Sequence, residues 1–202
     1  MAACTSFGQN LLPVMRKKYP RLVIDLVLAD NQVDIIDQKI DVAIRFGKKP
    51  TDDFICNELA PRKFIVCANQ AFIKSNNITE SPVCLSELEC LRFSIPGYRD
   101  AWKFRQPHKK ALTAPVTGHL LISHGMTMTA STVAGLGVSL LPDWLCRDEL
   151  ADGSLVDLFP DYECAGTDFD TSTWLVYPSR DYRPLKQSAF IDCLKSEVPE
   201  IS

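Results

Sequence analysis

The sequence predicts an α/β fold in two lobes. Three observations point there. Apolar segments alternate between helical and strand-like spacing along the chain. Two strand–helix–strand units of similar size occur, one over residues 22–46 and one over 116–141. The run LVIDLVL at 22–28 is apolar on both faces except at Asp25, which suits a parallel sheet covered by helices on both sides.

Taken in order, Thr5 and Ser6 can cap a helix running to about Tyr19, which Pro20 ends. Residues 22–28 form a strand. Val33, Ile36 and Ile40, spaced by three and four, mark a short helix, and residues 42–46 form the next strand. This βαβ order implies right-handed parallel crossovers. Strands over 54–59 and 63–68 and a short helix near 70–75 follow. Residues 80–115 are interrupted by Pro82, Pro96, Pro107 and Pro115, with strands only at 90–94 and 102–105. Val116–Ile122 reads as a strand. Ser123-His124-Gly125 then opens a helix with Met126, Thr129, Ala130, Val133 and Ala134 on one face. Gly135 stops it and Gly137 starts a strand through Leu141. AGTDFDTST at 165–173 is polar and turn-rich, and WLVY at 174–177 is a strand. Pro184 starts a last helix with Leu185, Ala189, Phe190, Cys193 and Leu194 inward. The opening MAAC reads as the stump of a strand, as expected of a piece of a longer protein.

Composition narrows the function classes. The chain is 46% hydrophobic and 23% charged, which is globular and not disordered. No apolar run approaches the ~20 residues that span a bilayer, and the start lacks the pattern of a secretory signal. Net charge is −3, and the basic clusters Arg16-Lys17-Lys18 and His108-Lys109-Lys110 are short. A nucleic-acid surface needs a sustained positive field, so this chain by itself is not expected to bind DNA. The eight cysteines form no CxxC and no Cys/His ladder, so no metal site is expected. Cys56 and Cys67 lie in apolar strands and Cys193 on an apolar helix face, as reduced cysteines do in a cytoplasmic protein. A redox pair such as Cys84 and Cys90 is the sharper alternative.

KIDVAIRFG at 39–47 ends a buried strand on Arg45 and Phe46. Open parallel sheets bind ligands beyond the carboxyl ends of their strands. Arg45 stands at such an end, as do Asp30 and Asn31 after strand 22–28, and Thr5 and Ser6 at a helix start. Ser123, His124 and Thr127 hold the matching place in the second unit. A helix N-terminus favours an anion, and arginine grips a carboxylate with two hydrogen bonds. The other reading of Arg45 is an ion pair with Asp41 or Asp52, and of His124 a capping or solvent-facing role. AGLG at 134–137 follows a helix and precedes a strand, the reverse of a phosphate loop, and reads as a helix C-cap. No nucleophile–base–orienter set and no carboxylate pair stands out, so no catalytic residues and no enzyme activity are expected.

Four stretches, DNQVDIIDQKIDVAIRFG, ICNELAPRKFIVCANQAFI, STVAGLGVSLLPDWL and YPSRDYRPLKQSAFIDCL, resemble the effector-binding region of LysR-type transcriptional regulators. The resemblance runs from about Thr5 to Val198. It implies two Rossmann-like α/β lobes with mixed, mostly parallel sheets, joined by two crossover strands, in the manner of type 2 periplasmic binding proteins. The first lobe would comprise 1–66 and 171–202 and the second 67–170, with crossovers near Val66–Ala68 and Asp168–Thr173. A small effector, often an organic anion, would bind between the lobes. Carried over by position, its site comprises Thr5, Ser6, Asp30, Asn31, Arg45, Phe46, Ser94, Ser123, His124 and Thr127. The family is cytoplasmic and assembles as dimers or tetramers. Its winged helix-turn-helix DNA-binding domain is not expected in this chain, which would contact DNA only through that missing part; no cofactor and no membrane are implied. The alternatives are a solute-binding protein of a transport system and an enzyme on the same fold.

Overall fold

A strand that is apolar on both faces must find backbone partners on both edges, and two such strands organise the molecule. The computed structural model describes residues 11–28, 34–50, 54–61, 63–95, 97–178 and 184–197. It divides into Met1–Arg62 with Asp170–Ser202, and Lys63–Phe169.

In the first unit the middle strand is supplied by the C-terminal part of the chain. Strand β1 (Ala43–Gly47) and strand β2 (Phe54–Pro61) flank β11 (Ser172–Pro178), both antiparallel. Leu175, Val176 and Tyr177 of β11 are buried. The Trp174 indole N–H donates to the Gly47 carbonyl at 3.0 Å, which anchors the end of β1. Helix α5 (Leu185–Glu197) buries Ile191, Cys193 and Leu194 and contacts α1 (Leu12–Lys18), whose Met15 is buried. Leu185, expected inward, is exposed at the first turn. Lys186 Nζ donates to Asp41 Oδ2 at 2.5 Å and Gln187 Nε2 to the Asp41 carbonyl at 2.8 Å, tying α5 to the approach to β1.

The second unit centres on β3 (Phe64–Ala68). The strand order is β6 (Leu112–Pro115), β5 (Ala101–Arg105), β10 (Glu163–Ala165), β3, β8 (Val138–Pro142), β4 (Cys90–Phe93) and β7 (Leu121–Ile122), with β9 (Val156–Asp157) also on β3. The parallel pairings centre on β4, which lies beside β7 and β8; the other described ladders are antiparallel. Trp102, Phe104, Val66, Val138, Leu140 and Phe159 form the core. Phe104 meets Phe159 edge-on at 5.6 Å and Tyr162 at 6.1 Å, the geometry that ring quadrupoles favour. Asn69 joins two helix ends. Its Oδ1 accepts from Phe72 N–H at 2.7 Å, capping α2 (Gln70–Ser75), and its Nδ2 donates to Val133 O at 2.9 Å, near the end of α3 (Gly125–Val133). Gly135 beyond α3 has φ +80°, and a Cβ there would come within 2.8 Å of the Asn69 side chain.

Four sequence expectations are corrected. LVIDLVL at 22–28 has no ladder partner among the described residues and leaves Val23 90% and Val27 56% exposed; its pattern is that of a paired strand, but pattern alone supplies no neighbour. The helix expected around residues 33–40 is, among the described residues, a set of turns over 35–39. There Asp34 Oδ1 accepts from the N–H groups of Ile36 and Asp37, and these hold its carboxyl below the usual range, helped by the Arg45 charge. Of the single strand expected at 116–122 only Leu121–Ile122, β7, is formed; β6 ends before it at Pro115. Between them Gly118 lies where a Cβ would sit 2.0 Å from the Cys90 carbonyl. Finally, α3 buries Met128, Thr129 and Thr132, while Met126 and Val133 are exposed. Thr132 Oγ1 donates back to Met128 O and meets Ser139 Oγ, so the buried hydroxyls are satisfied and the polar side of the helix can face the sheet.

The seven described cysteines are free thiols. Burial pushes Cys90 and Cys164 up to about 12. Cys84 and Cys90 donate to different carbonyls, Thr79 and Leu85. A buried thiol with a raised pKa offers little thiolate, so burial works against Cys90 as a reactive thiol.

Phe104→Ala is expected to cost about 3–5 kcal/mol, read as a lower urea midpoint. Burial raises the Asp157 carboxyl, opposed in part by the Phe159 N–H, which donates to its Oδ1 at 3.0 Å and lowers it. A carboxyl held above its unfolded value stabilises the fold below that value, and this contribution is lost as pH rises through the folded one. Asp157→Asn keeps an acceptor for Phe159 and removes the titration. The variant is expected to lose less stability than the parent as pH is raised above about 4, measured by urea unfolding across pH.

Candidate functional site

The site residues of the second unit are assembled by β4, β7 and α3. Strands β4 and β7 run parallel, with Phe93 beside Ile122, and the ladder extends one step further as Ser94 N–H donates to Ile122 O at 3.0 Å. Ser94 and Ser123 therefore lie together at the carboxyl ends of two neighbouring parallel strands. The chain then turns into α3 at His124. Its Nδ1 accepts from Thr127 N–H at 3.3 Å and lies 2.8 Å from Thr127 Oγ1. His124 is thus the N-cap of α3, the capping role weighed in the sequence. With Nδ1 accepting, the ring proton lies on Nε2, which is left as a donor. The first N–H groups of the helix have no intrahelical acceptor and carry the positive end of its dipole. Hydroxyls, an imidazole N–H and backbone N–H groups thus converge on one edge, a set that suits an oxygen-rich anion.

The helix can start there because Gly125 has no side chain. A Cβ on Gly125 would come 2.8 Å from Leu145 Cδ2. Thr129 Oγ1 donates to Gly125 O at 3.2 Å and lies 3.4 Å from Leu145 O, fixing the first turn against the Asp143–Leu145 turn, which leads into the short α4 (Arg147–Ala151).

In the first unit Arg45 stands on β1 opposite Trp174, with its guanidinium 5.9 Å from the Phe54 ring centre. Asp41, one of its two expected ion-pair partners, is held by Lys186; Asp52, the other, lies outside the described residues. Successive strand residues face opposite sides, so Arg45 and the 47% exposed Phe46 do not line one face of the sheet. Thr5, Ser6, Asp30 and Asn31 also lie outside the described residues. Among those described, the structure gathers Ser94, Ser123, His124 and Thr127 into one edge and leaves Arg45 and Phe46 on a separate unit.

One residue that sequence reasoning missed supports this edge. Arg92, two residues before Ser94, donates from Nη2 to Gly118 O at 2.8 Å and from Nη1 to Arg99 O at 3.2 Å, and lies 3.6 Å from Asp100. It ties the loop after β4 to the segment before β7. The signal was present: an arginine inside the apolar run CLRF is as unexpected as Arg45 in its own strand.

His124→Ala is expected to destabilise the second unit by about 1 kcal/mol through loss of the cap. His124→Asn, which can also cap, is expected to restore most of it; thermal melts of both variants measure this.

Comparison with known proteins agrees with this architecture. The family model described as LysR substrate binding domain matches residues 1–199. The HTH-type transcriptional regulator DmlR of Escherichia coli is 30% identical over 205 residues, covering 96% of this chain and 63% of the relative. The HTH-type transcriptional regulator PtxR of Pseudomonas aeruginosa is 25% identical over 185 residues, covering 90% of this chain and 57% of the relative. The regulatory domain of CrgA, a LysR-type transcriptional regulator from Neisseria meningitidis, superposes with a TM-score of 0.81 at 23% identity, over 100% of this chain and 95% of that one. That likeness shows the type 2 periplasmic-binding-like fold. The chain spans about three-fifths of the length of the curated relatives it matches, 57% and 63% for these two. These relatives are transcriptional regulators. With a family model matched over nearly its whole length and a relative 30% identical, the chain belongs to the LysR substrate-binding domain family.

Proposed function

We propose that this chain is the sensing part of a cytoplasmic LysR-type transcriptional regulator and that its effector is a small carboxylate. The observation that carries the reading is the edge formed by Ser94, Ser123 and the His124-capped start of α3, at the carboxyl ends of the parallel strands β4 and β7. That is where open α/β sheets place ligands. The resemblance to the family adds Arg45 as the permanent charge, with Thr5, Ser6, Asp30 and Asn31 as further candidates. A ligand moves an equilibrium only by its difference in affinity for two arrangements. The effector therefore acts by favouring one arrangement of the two units. Assembly as a dimer or tetramer passes that change to a DNA-binding domain contributed by the rest of the protein.

A thermal-shift screen of the chain against small aliphatic and aromatic carboxylates tests this, since a ligand that binds only the folded state raises Tm. A saturable rise is expected with one acid. Arg45→Ala is expected to weaken that binding about tenfold to a hundredfold, the ~1.5–3 kcal/mol of a hydrogen bond to a charged group. Unchanged affinity removes Arg45 from the site. A rise given only by uncharged compounds replaces the carboxylate with a neutral effector.

A further inference from the structure

The second unit is joined to the rest of the chain by two segments, one entering at Lys63 and one leaving at Phe169. Tyr98 packs against both. Its ring centre lies 5.9 Å from that of Phe64, the second residue of the unit. The same ring covers Gly166, three residues before the unit ends, where a Cβ would come 2.1 Å from a ring carbon. Its hydroxyl is hydrogen-bonded to the side chain of Thr167. Thr167 also packs back on the turn that carries Tyr98: its methyl lies against Gly97, where a Cβ would come 2.4 Å away.

Tyr98 is tied equally to the edge that carries Ser94. The chain turns directly after β4, and Tyr98 N–H donates to Ile95 O at 3.1 Å, closing the turn on the residue after Ser94. The ring of Phe93, the residue before Ser94, meets the Tyr98 ring edge-on at 6.4 Å. Phe93 also lies 3.9 Å from where a Gly125 Cβ would sit, at the start of α3. The turn itself is held from two sides: Trp102 Nε1 donates to Tyr98 O at 3.2 Å, and Arg92 Nη1 to Arg99 O at 3.2 Å. Densely packed side chains transmit a displacement instead of absorbing it. A shift at Ser94 or at the first turn of α3 thus reaches Tyr98 through Phe93 and Ile95.

We propose that Tyr98 is a positioning residue that passes occupancy of the Ser94, Ser123 and His124 edge to the two segments joining the units, through its ring at Phe64 and Gly166 and its hydroxyl at Thr167. This role rests on the reading of that edge as the effector site, and gives binding there a route to the rest of the protein. Coupling between distant places is carried by packed side chains and hydrogen bonds in contact with one another, and here the contacts run unbroken from Ser94 to Thr167. Tyrosine suits the role. Its ring fills the space between three neighbours, and its hydroxyl adds a directional bond at the far end that phenylalanine lacks. Because one side chain touches both segments, both respond together.

A charge fixed at the edge tests this without an effector. Ser94→Asp and Ser94→Asn are nearly equal in shape and differ in charge. Amide hydrogen exchange of the 15N-labelled chain, read at Phe64, Gly166 and Thr167, is expected to differ between the two by at least about twofold, the lower range for groups coupled through contact. Adding Tyr98→Leu is expected to abolish the difference at all three amides while leaving it at Ser123. Tyr98→Phe keeps the ring and drops the hydroxyl, so it is expected to lose the response at Thr167 and keep that at Phe64. It also decides the matter should circular dichroism show that Tyr98→Leu does not fold. Three results overturn the proposal. One is equal exchange at Phe64, Gly166 and Thr167 in the two Ser94 variants with Tyr98 in place. Another is a difference that persists unchanged in Tyr98→Leu. The third is a Thr167 response untouched by Tyr98→Phe. The carboxylate reading fails separately, when no acid raises Tm, whatever these amides do.

Discussion

Everything in the second unit depends on β3 having partners on both edges. FIVCA is buried at Val66, Cys67 and Ala68, so its N–H and C=O groups cannot turn to water, and an unpaired buried backbone group costs about as much as a lost hydrogen bond. Strands β8, β9 and β10 meet that demand. Once β8 is placed, β4 and then β7 follow in parallel, and the ends of those two strands become the edge that holds Ser94 and Ser123. The position of the candidate site is thus a consequence of backbone pairing at the centre of the sheet. In the first unit β11 plays the same part for β1 and β2, and it carries Arg45 into place opposite Trp174.

Polar groups inside the structure are placed where their partners are local. Thr129 and Thr132 face the sheet from α3 because each hydroxyl reaches the carbonyl four residues back. Asn69 serves two helix ends at once. Arg92 satisfies carbonyls on two loops that no strand pairs. These contacts share one effect: they hold the starts and ends of elements, where the backbone has unmet donors and acceptors. A binding edge is made of such starts and ends, so the residues that stabilise the fold there also shape the site.

Charge is distributed in a related way. Asp41 is bound to the last helix, and the bidentate pair of Arg105 with Glu163 sits on exposed faces of β5 and β10, where the Arg105 guanidinium also lies 4.4 Å from the Phe169 ring centre. Exposed pairs of this kind contribute little to stability. Their value is in fixing side-chain positions along the outer face of the β5–β6 hairpin.

Much of this architecture was legible in the sequence. Short apolar runs bounded by Gly, Pro and Asn placed β2, β3, β4, β5 and β8, because strand burial and turn chemistry act over a few residues. Ser123-His124-Gly125 announced α3, because capping is a local bargain between one side chain and the next turn. Gly135 and the lone arginine at 45 were readable for the same reason. What the sequence could not decide were matters of partnership. Nothing in LVIDLVL says which strand lies beside it, and nothing in residues 116–122 says that Gly118 must pass against the Cys90 carbonyl. The buried face of α3 was mistaken because two threonines satisfy their own hydroxyls, which hydropathy counts as a cost. The grouping of Ser94 with Ser123 arises from a parallel pairing between segments some 29 residues apart in number, and only the tertiary structure brings them together. Local propensities are written residue by residue; registers and neighbours are settled by which buried backbone edges are left to pair.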